Sequence, residues 1–393
     1  MSTPEPATAH APDDPVFWAA VRAQYELDTQ SGIINLENGY FSVQARPVFE
    51  AFQRYNAQLN REGTYFLRTS FPDRLDAVMH ALSRFTGAAP EELVLTRSTT
   101  EAMNILIQGY PFVAGDEVLL ASDDYPSVLE TVEMMKQRRG LAAVLVQLPL
   151  DPADDGQIVS LYEAAITPRT RVLLLTHLIY TTGQILPVAK IAQMAHTHGI
   201  DVFVDAAHSF AHIEWRIPDL HAGFVAVNLH KWLGAPLGLG LLYIRKDRIA
   251  DIAPLFGDMH CAAGDIRKLV NFGTMAPAPV LAIEDAIAFH QQIGGRNKET
   301  RLRYLKDYWV GQVQKLPHIA MQTPRAPGRA CAIAAFRVNG MPAREVVAYL
   351  FEQYRIFSIA RSVAGEECVR ITPHLYTSTD ELDLLVRALE NLA

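Results

Sequence analysis

The segment Asn228-Leu229-His230-Lys231-Trp232-Leu233-Gly234 lies between a hydrophobic run, Phe224 to Val227, and a glycine-rich apolar one, Gly238 to Ile244. Both runs read as buried strands. A lysine wedged between two such strands must reach solvent or be held for chemistry, because an unpaired ammonium is costly to bury. An earlier strand, Val202-Phe203-Val204-Asp205, ends on an acid. Asp205 and Lys231 are 26 residues apart (231 − 205), room for one crossover and one further strand. That spacing predicts both groups at the same edge of one sheet.

Outward from this pair, short apolar runs alternate with helical segments. The runs are Leu93 to Thr96, Glu117 to Ala121, Ala143 to Leu148 and Arg171 to His177, beside the three already named. They are rich in Val, Ile and Leu without clean alternation, the pattern of strands covered on both faces. Thr99 to Tyr110, Ser127 to Arg139 and Lys190 to His198 carry helical periodicity, and Gly140 and Gly199 stand where helices end. The chain is therefore α/β with a mostly parallel sheet flanked by helices, and such sheets bind ligands beyond the carboxyl ends of their strands. After a long helical stretch, Val280 to Gln292, the order strand, helix, strand, strand, helix predicts a smaller α/β unit. The expected division is a tail and first helix over 1–30, a large unit over 31–290 and a small C-terminal unit over 291–393.

Bulk properties narrow the function classes. At 393 residues the chain has room for two domains. Its 20% charged and 49% hydrophobic residues argue against disorder, and no apolar run is long enough to span a bilayer. A net charge of −8 gives no general attraction to nucleic acid or anionic membranes. Three scattered cysteines, Cys261, Cys331 and Cys368, suit neither a disulfide framework nor a zinc site, so no metal is expected and the cytoplasm is the expected home. Met1 to Pro15, rich in Pro, Ala and acids, reads as a flexible tail without a signal core.

A lysine and an acid at strand ends suit pyridoxal phosphate, which needs an amine for its aldimine, an acid beside its ring nitrogen and an anion pocket for its phosphate. Arg97-Ser98-Thr99-Thr100-Glu101 follows a strand and opens a helix, where backbone N–H groups and the helix dipole favour an anion; it also reads as an ordinary N-cap. Asp205 could keep the pyridine nitrogen protonated, or cap a helix. Tyr125, after Asp123-Asp124, could stack on the ring or simply occupy a turn. Arg370, in Cys368-Val369-Arg370-Ile371-Thr372, could grip a carboxylate or form a structural ion pair. Lys136, Lys190, Lys246 and Lys268 lie in helical or charged surroundings and read as surface lysines; Lys231 does not.

In this order, Ser98-Thr99-Thr100-Glu101-Ala102, Val204-Asp205-Ala206-Ala207-His208, Asn228-Leu229-His230-Lys231-Trp232 and Arg370-Ile371-Thr372 resemble the class V aminotransferase-like enzymes of fold type I. Asn35-Leu36-Glu37-Asn38-Gly39-Tyr40-Phe41 and His230-Lys231-Trp232 most resemble the isopenicillin N epimerase-like branch. The resemblance implies that Lys231 forms the internal aldimine, Asp205 meets the pyridine nitrogen and Tyr125 stacks on the ring. It implies phosphate contacts from Ser98, Thr99, Thr100 and His230, and His208 near the ring hydroxyl. Arg370 would bind the substrate carboxylate, with Asn38 and Tyr40 beside it. Gly273-Thr274 resembles a segment that completes the neighbouring subunit's phosphate site, which implies a homodimer.

Two departures bear on the chemistry. Where the family often has a polar group touching the ring hydroxyl, Leu178 and Ile179 follow His177. The loop Ser358 to Gly365 carries no nucleophilic cysteine, which disfavours desulfuration by persulfide transfer. The expected reaction starts at the α-carbon of an amino acid, with Lys231 removing the proton. Transamination needs only Lys231 and leads; epimerisation needs a second proton donor; a C–S β-lyase follows closely. Arg68, Arg361 and His374 could read a substrate side chain, or be structural. From other classes, a non-catalytic ligand sensor would tolerate loss of Lys231 or Asp205, and a nucleotide enzyme would show a Gly-x-Gly-x-x-Gly turn or Walker loop, which are absent.

Overall fold

A computed structural model describes residues 8–28, 30–363 and 365–392. Among them are thirteen strands. The first, β1 (Ile34–Asn35), lies outside the main sheet. Seven build the central sheet: β2 (Leu93–Thr96), β3 (Glu117–Ala121), β4 (Ala142–Val146), β5 (Thr170–Thr176), β6 (Asp201–Asp205), β7 (Phe224–Asn228) and β8 (Gly240–Ile244). Five follow: β9 (Ile319–Met321), β10 (Ala334–Val338), β11 (Ile356–Phe357), β12 (Ile359–Val363) and β13 (Glu366–Ile371).

The central sheet has the order β2-β8-β7-β6-β5-β3-β4. Strands β7, β6, β5, β3 and β4 are mutually parallel, and β8 runs antiparallel to both β7 and β2. Burial explains why these strands lack alternation. Leu119, Leu173, Leu175, Val202 and Val204 join one hydrophobic cluster, whereas Val118, Leu120, Val172, Leu174 and Phe203 join another on the opposite face. Both faces are thus covered, and only the edge strand β4 exposes alternate residues, with Leu145 at 57%.

Local signals set the helix ends. Gly140 and Gly199 adopt left-handed φ values of 69°, closing the helix Pro126–Arg139 and following Val188–Thr197. The stretch expected as one helix from Val280 is two, Pro277–Leu281 and Ile283–Ile293, meeting at Ala282. At the C-terminus, Ser378 and Glu381 form a reciprocal capping box on Thr379–Glu390.

The C-terminal lobe is a four-stranded antiparallel sheet, β12-β13-β10-β9, whose core includes Leu305, Trp309, Phe336, Val346, Leu350 and Leu385. Leu36 is part of that core, β1 pairs with β11, and Glu37 bridges Thr372, so residues 34–37 are tied to this lobe. This segment carries the chain from one unit into the other, beside the cavity described below.

Of the stretch expected as a flexible tail, residues 1–7 lie outside the described residues. Residues 8–14 are fastened down: the Thr8 carbonyl accepts from Asn297, Ala11 from Trp18 and Pro12 from Arg301. Composition missed these long-range contacts. Among the described residues, no helix is long and apolar enough to cross a membrane.

Candidate active site

The carboxyl ends of β2, β3, β5, β6 and β7 open on one cavity of about 320 Å3. Ser98, Thr99, Thr100, Tyr125, Asp205, His208, His230, Lys231, Arg370 and Tyr40 all line it. Three predicted residues do not. Asn38 is fully buried and structural in its contacts: its amide donates to the Thr372 carbonyl at 2.8 Å, and its oxygen accepts from the Tyr376 hydroxyl. Gly273 and Thr274 are exposed and lie away from the lining. Of the three possible readers of a side chain, Arg361 lines the cavity, Arg68 is exposed elsewhere, and His374 is buried behind Trp232.

Lys231 sits three residues past β7, in the turn to β8, and Asp205 ends the adjacent parallel β6. The turn is held from outside the sheet. Ser42 donates its hydroxyl to the Lys231 carbonyl, and its N–H bonds the His230 carbonyl at 3.2 Å. Burial lowers the Lys231 amine to about 8; Asp205 opposes the shift and Arg370 adds to it.

His208 links the lysine to Trp232. The Trp232 Nε1–H points at His208 Nδ1 (3.4 Å), and His208 Nε2 lies 2.9 Å from Lys231 Nζ. Burial, then the charge on Lys231, pushes the His208 ring well below its usual pKa, so it is neutral. With Nδ1 accepting, Nε2 carries the proton and can donate to Lys231 once the lysine is in its free-amine form. The hydrogen-bond chain and the lowered pKa agree on a lysine poised as a nucleophile.

Asp205 is buried, which raises its carboxyl; the Ala207 N–H on Oδ1 (2.9 Å) and the charge of Lys231 hold the rise in check. A cationic ring nitrogen nearby would stabilise the carboxylate further. Behind it, Asp124 accepts from Thr176 Oγ1 at 2.5 Å and from the Ala121 N–H, and burial pushes it up to about 7.

The helix Thr99–Gly109 aims its N-terminus at the cavity, with Ser98 as N-cap accepting from Glu101 N. Asn228 Oδ1 accepts the Thr99 N–H at 2.8 Å, anchoring that turn to the end of β7. Thr99 Oγ1 is buried without a partner among the described residues. At Gly240 a Cβ would lie 2.7 Å from the Ser98 carbonyl carbon, so only glycine lets β8 approach the loop. His230 Nδ1 must donate to the Leu239 carbonyl (2.8 Å), so Nε2 can donate to an anion only when the ring is protonated, which a neighbouring phosphate dianion would favour. An orphaned hydroxyl, a helix N-terminus and this imidazole fit a phosphate, and Lys231 with Asp205 fits the rest of pyridoxal phosphate.

Arg370 is 2% exposed. It donates Nη1–H to the Tyr180 carbonyl at 2.8 Å and Nη2–H to Glu37 Oε1. Gly39 lies flat against it: a Cβ there would be 2.8 Å from Nη2. Because Glu37 and Tyr180 pin the guanidinium, it has little freedom to yield. Gly39→Ala is therefore expected to raise the Kd for an amino acid about tenfold through overpacking, measurable by titrating the cofactor's absorbance; an unchanged Kd would show that Arg370 can retreat.

Sequence reasoning missed Glu37, Ser42, Asn228 and Tyr180. Asn228 closed a predicted strand next to the lysine and could have been found; the others act through contacts distant in sequence. Tyr180 lines the cavity where Leu178 and Ile179 do not, and meets Tyr125 edge-to-face at 5.2 Å. Lys268, read as a surface lysine, is buried with Nζ on the Ala263 carbonyl at 2.6 Å.

A parallel sheet whose strand ends gather a desolvated lysine, a buried aspartate and an anion-binding helix turn defines a fold type I pyridoxal phosphate site. The chain belongs to the class-V aminotransferase family, whose model matches residues 44–388, and is a pyridoxal phosphate-dependent enzyme. It is 30% identical to isopenicillin N epimerase of Streptomyces clavuligerus, over 95% of this chain and 98% of the relative. Among solved structures, a C-DES variant with glycine covalently linked to the PLP cofactor superposes with a TM-score of 0.83 at 23% identity, covering 94% of this chain and 98% of the other. The cystine C–S lyase C-DES with cysteine persulfide gives 0.83 at 22%, covering 93% and 99%. At these identities the two structures support the fold.

Proposed function

We propose that the enzyme removes the α-proton of an amino acid held by Arg370, with Lys231 as the base, and that transamination follows. The observation that carries this is the desolvated Lys231 amine, beside neutral His208 and facing the same cavity as Arg370. When bound, pyridoxal phosphate supplies an aldehyde that engages amines and a ring that withdraws electrons from the α-carbon. The helix turn at Ser98 to Thr100 and His230 would hold its phosphate, Asp205 its ring nitrogen, and Tyr125 its face. Arg370 orients the substrate carboxylate, and Lys231 takes and returns the proton. Cys368 is fully buried in β13, with its thiol pushed up to about 11 by burial, so it supports no persulfide chemistry.

A second reading is epimerisation. It draws on the Streptomyces relative and on two phenols, Tyr125 and Tyr180, that line the cavity and could return a proton to the other face. A C–S β-lyase is a third outcome on the same scaffold. Incubation with a panel of amino acids, read for keto acid, chirality and pyruvate with sulfide, separates them: keto acid with conversion of the cofactor to its aminated form supports transamination. Racemised substrate, or pyruvate without aminated cofactor, would replace that reading. The proposal includes a cytoplasmic homodimer with Gly273-Thr274 reaching the neighbouring site; a monomer in sedimentation at micromolar concentration would exclude it.

Capture of pyridoxal phosphate by the apoenzyme needs the free Lys231 amine. Its rate is expected to rise with pH and level off above about 8, since below that value the ammonium dominates. Absorbance kinetics across roughly pH 6 to 10, about two units either side, check this. A rate still climbing at the top would place the amine at its ordinary pKa.

A further inference from the structure

Trp232, next to the lysine, is fully buried, and its indole lies nearly parallel to two imidazoles. The ring centroid of His212 is 3.7 Å away and that of His374 5.3 Å. Both neighbours are themselves tied down. His212 Nε2 accepts the Ala332 N–H at 2.9 Å, so its Nδ1 carries the proton, 2.8 Å from the His208 carbonyl. His374 Nε2 lies 2.9 Å from Ser42 Oγ, and the Trp232 carbonyl accepts from Lys298. The indole is thus held in one orientation, with Nε1–H aimed at His208 Nδ1, the one acceptor it meets among the described residues.

An indole nitrogen donates and cannot accept. A proton on His208 Nδ1 would set two donors against each other 3.4 Å apart and leave the buried indole N–H unpaired, a costly loss away from water. Nδ1 is therefore the acceptor, and Nε2 presents its proton 2.9 Å from Lys231 Nζ. An ammonium has three donors and no lone pair, so it would meet this N–H donor to donor; the free amine can accept it. Other groups act on the same lysine. Asp205 from β6 and Glu37 favour the ammonium, Arg370 from β13 and Arg361 from β12 oppose it, and His230 precedes it in the turn. A change confined to the indole nitrogen leaves all of these in place.

We propose that Trp232 is a positioning residue that acts through His208: it selects the imidazole tautomer whose Nε2–H favours the free amine of Lys231 over the ammonium. The inference rests on the reading of Lys231 as the amine that captures the cofactor. Trp232→Phe keeps an aromatic ring beside His212 and removes the N–H. His208 Nδ1 can then take the proton, Nε2 can accept from the ammonium, and the charged lysine gains a hydrogen bond it lacks in the native enzyme.

The pH midpoint for capture of pyridoxal phosphate by the apoenzyme should therefore rise by about one unit in Trp232→Phe, the scale of one charge-assisted hydrogen bond. The cofactor's own ionisations are common to both proteins and cancel in the comparison. In a His208→Gln background the same substitution should add no further shift. Slower capture at every pH with an unchanged midpoint is what lost packing alone would give, and it overturns the inference. An equal shift in the His208→Gln background overturns it too. Nitrogen NMR of the histidine-labelled native apoenzyme reads the tautomer directly, the His208 signals being those that vanish in His208→Gln. A protonated Nε2 is expected; a protonated Nδ1 overturns the inference, even if Trp232→Phe does not fold. A native apoenzyme that captures no cofactor, or captures it on another lysine, overturns the reading of Lys231 as well.

Discussion

Lys231→Ala is expected to abolish turnover, with a loss of at least about 10³-fold, while the protein stays folded. Two effects add. The variant lacks the amine that ties the cofactor to the chain, and it lacks the base for the α-proton. His208 cannot substitute, because burial holds it far below its ordinary pKa and, with Nδ1 accepting from Trp232, its Nε2 carries the ring proton and has no lone pair to take another. Stability should barely change. The lowered pKa of Lys231 shows that the fold disfavours its charge, so removing it relieves a penalty. Cofactor should be lost on dialysis, and thermal unfolding should stay within about 3 °C of that of the native apoenzyme. Residual activity within tenfold of native would mean that another group takes the proton.

The second large effect is at Arg370. Arg370→Ala should raise amino-acid Kd on the order of 100-fold, the worth of two charge-assisted hydrogen bonds. It should also destabilise the fold by about 3 kcal/mol, because Glu37 stays buried with only Arg361 at 3.8 Å. The two losses have different origins and can be separated. Adding Glu37→Gln should restore part of the stability, since the stranded charge is gone, and none of the affinity. Denaturant titration and ligand titration on the single and double variants test this. Stability unaffected by Arg370→Ala would show that Glu37 finds another partner.

What the sequence made legible were features carried by local pattern. Strands buried on both faces announce themselves as unbroken Val, Ile and Leu runs, and a parallel crossover fixes where the next strand begins. Asp205 and Lys231 therefore could be brought to one edge by spacing alone. Ser98, Thr99 and Thr100 followed from a strand running into a helix. Contacts that close across the fold left no such trace. Glu37 meets Arg370 across 333 residues of sequence and Ser42 meets His374 across 332, and neither pairing is implied by either segment alone. Asn38 illustrates the converse: a polar residue in a suggestive segment turned out to serve the backbone of Thr372. Burial of lysines was misjudged for the same reason. Lys268 read as a surface residue from its charged surroundings, yet tertiary packing encloses it, as it does Lys298.

Lys298 also sets the standard for the central claim, because desolvation lowers its pKa to about 7 and low pKa alone would not single out Lys231. Its Nζ is spent on the Trp232 carbonyl behind the site, and it does not line the cavity. Borohydride reduction of the yellow holoenzyme, followed by peptide mass spectrometry, discriminates between them. Attachment of the phosphopyridoxyl group to Lys231 alone is the result predicted here. Attachment at Lys298 or any other lysine, or a protein that takes up no chromophore, would contradict it.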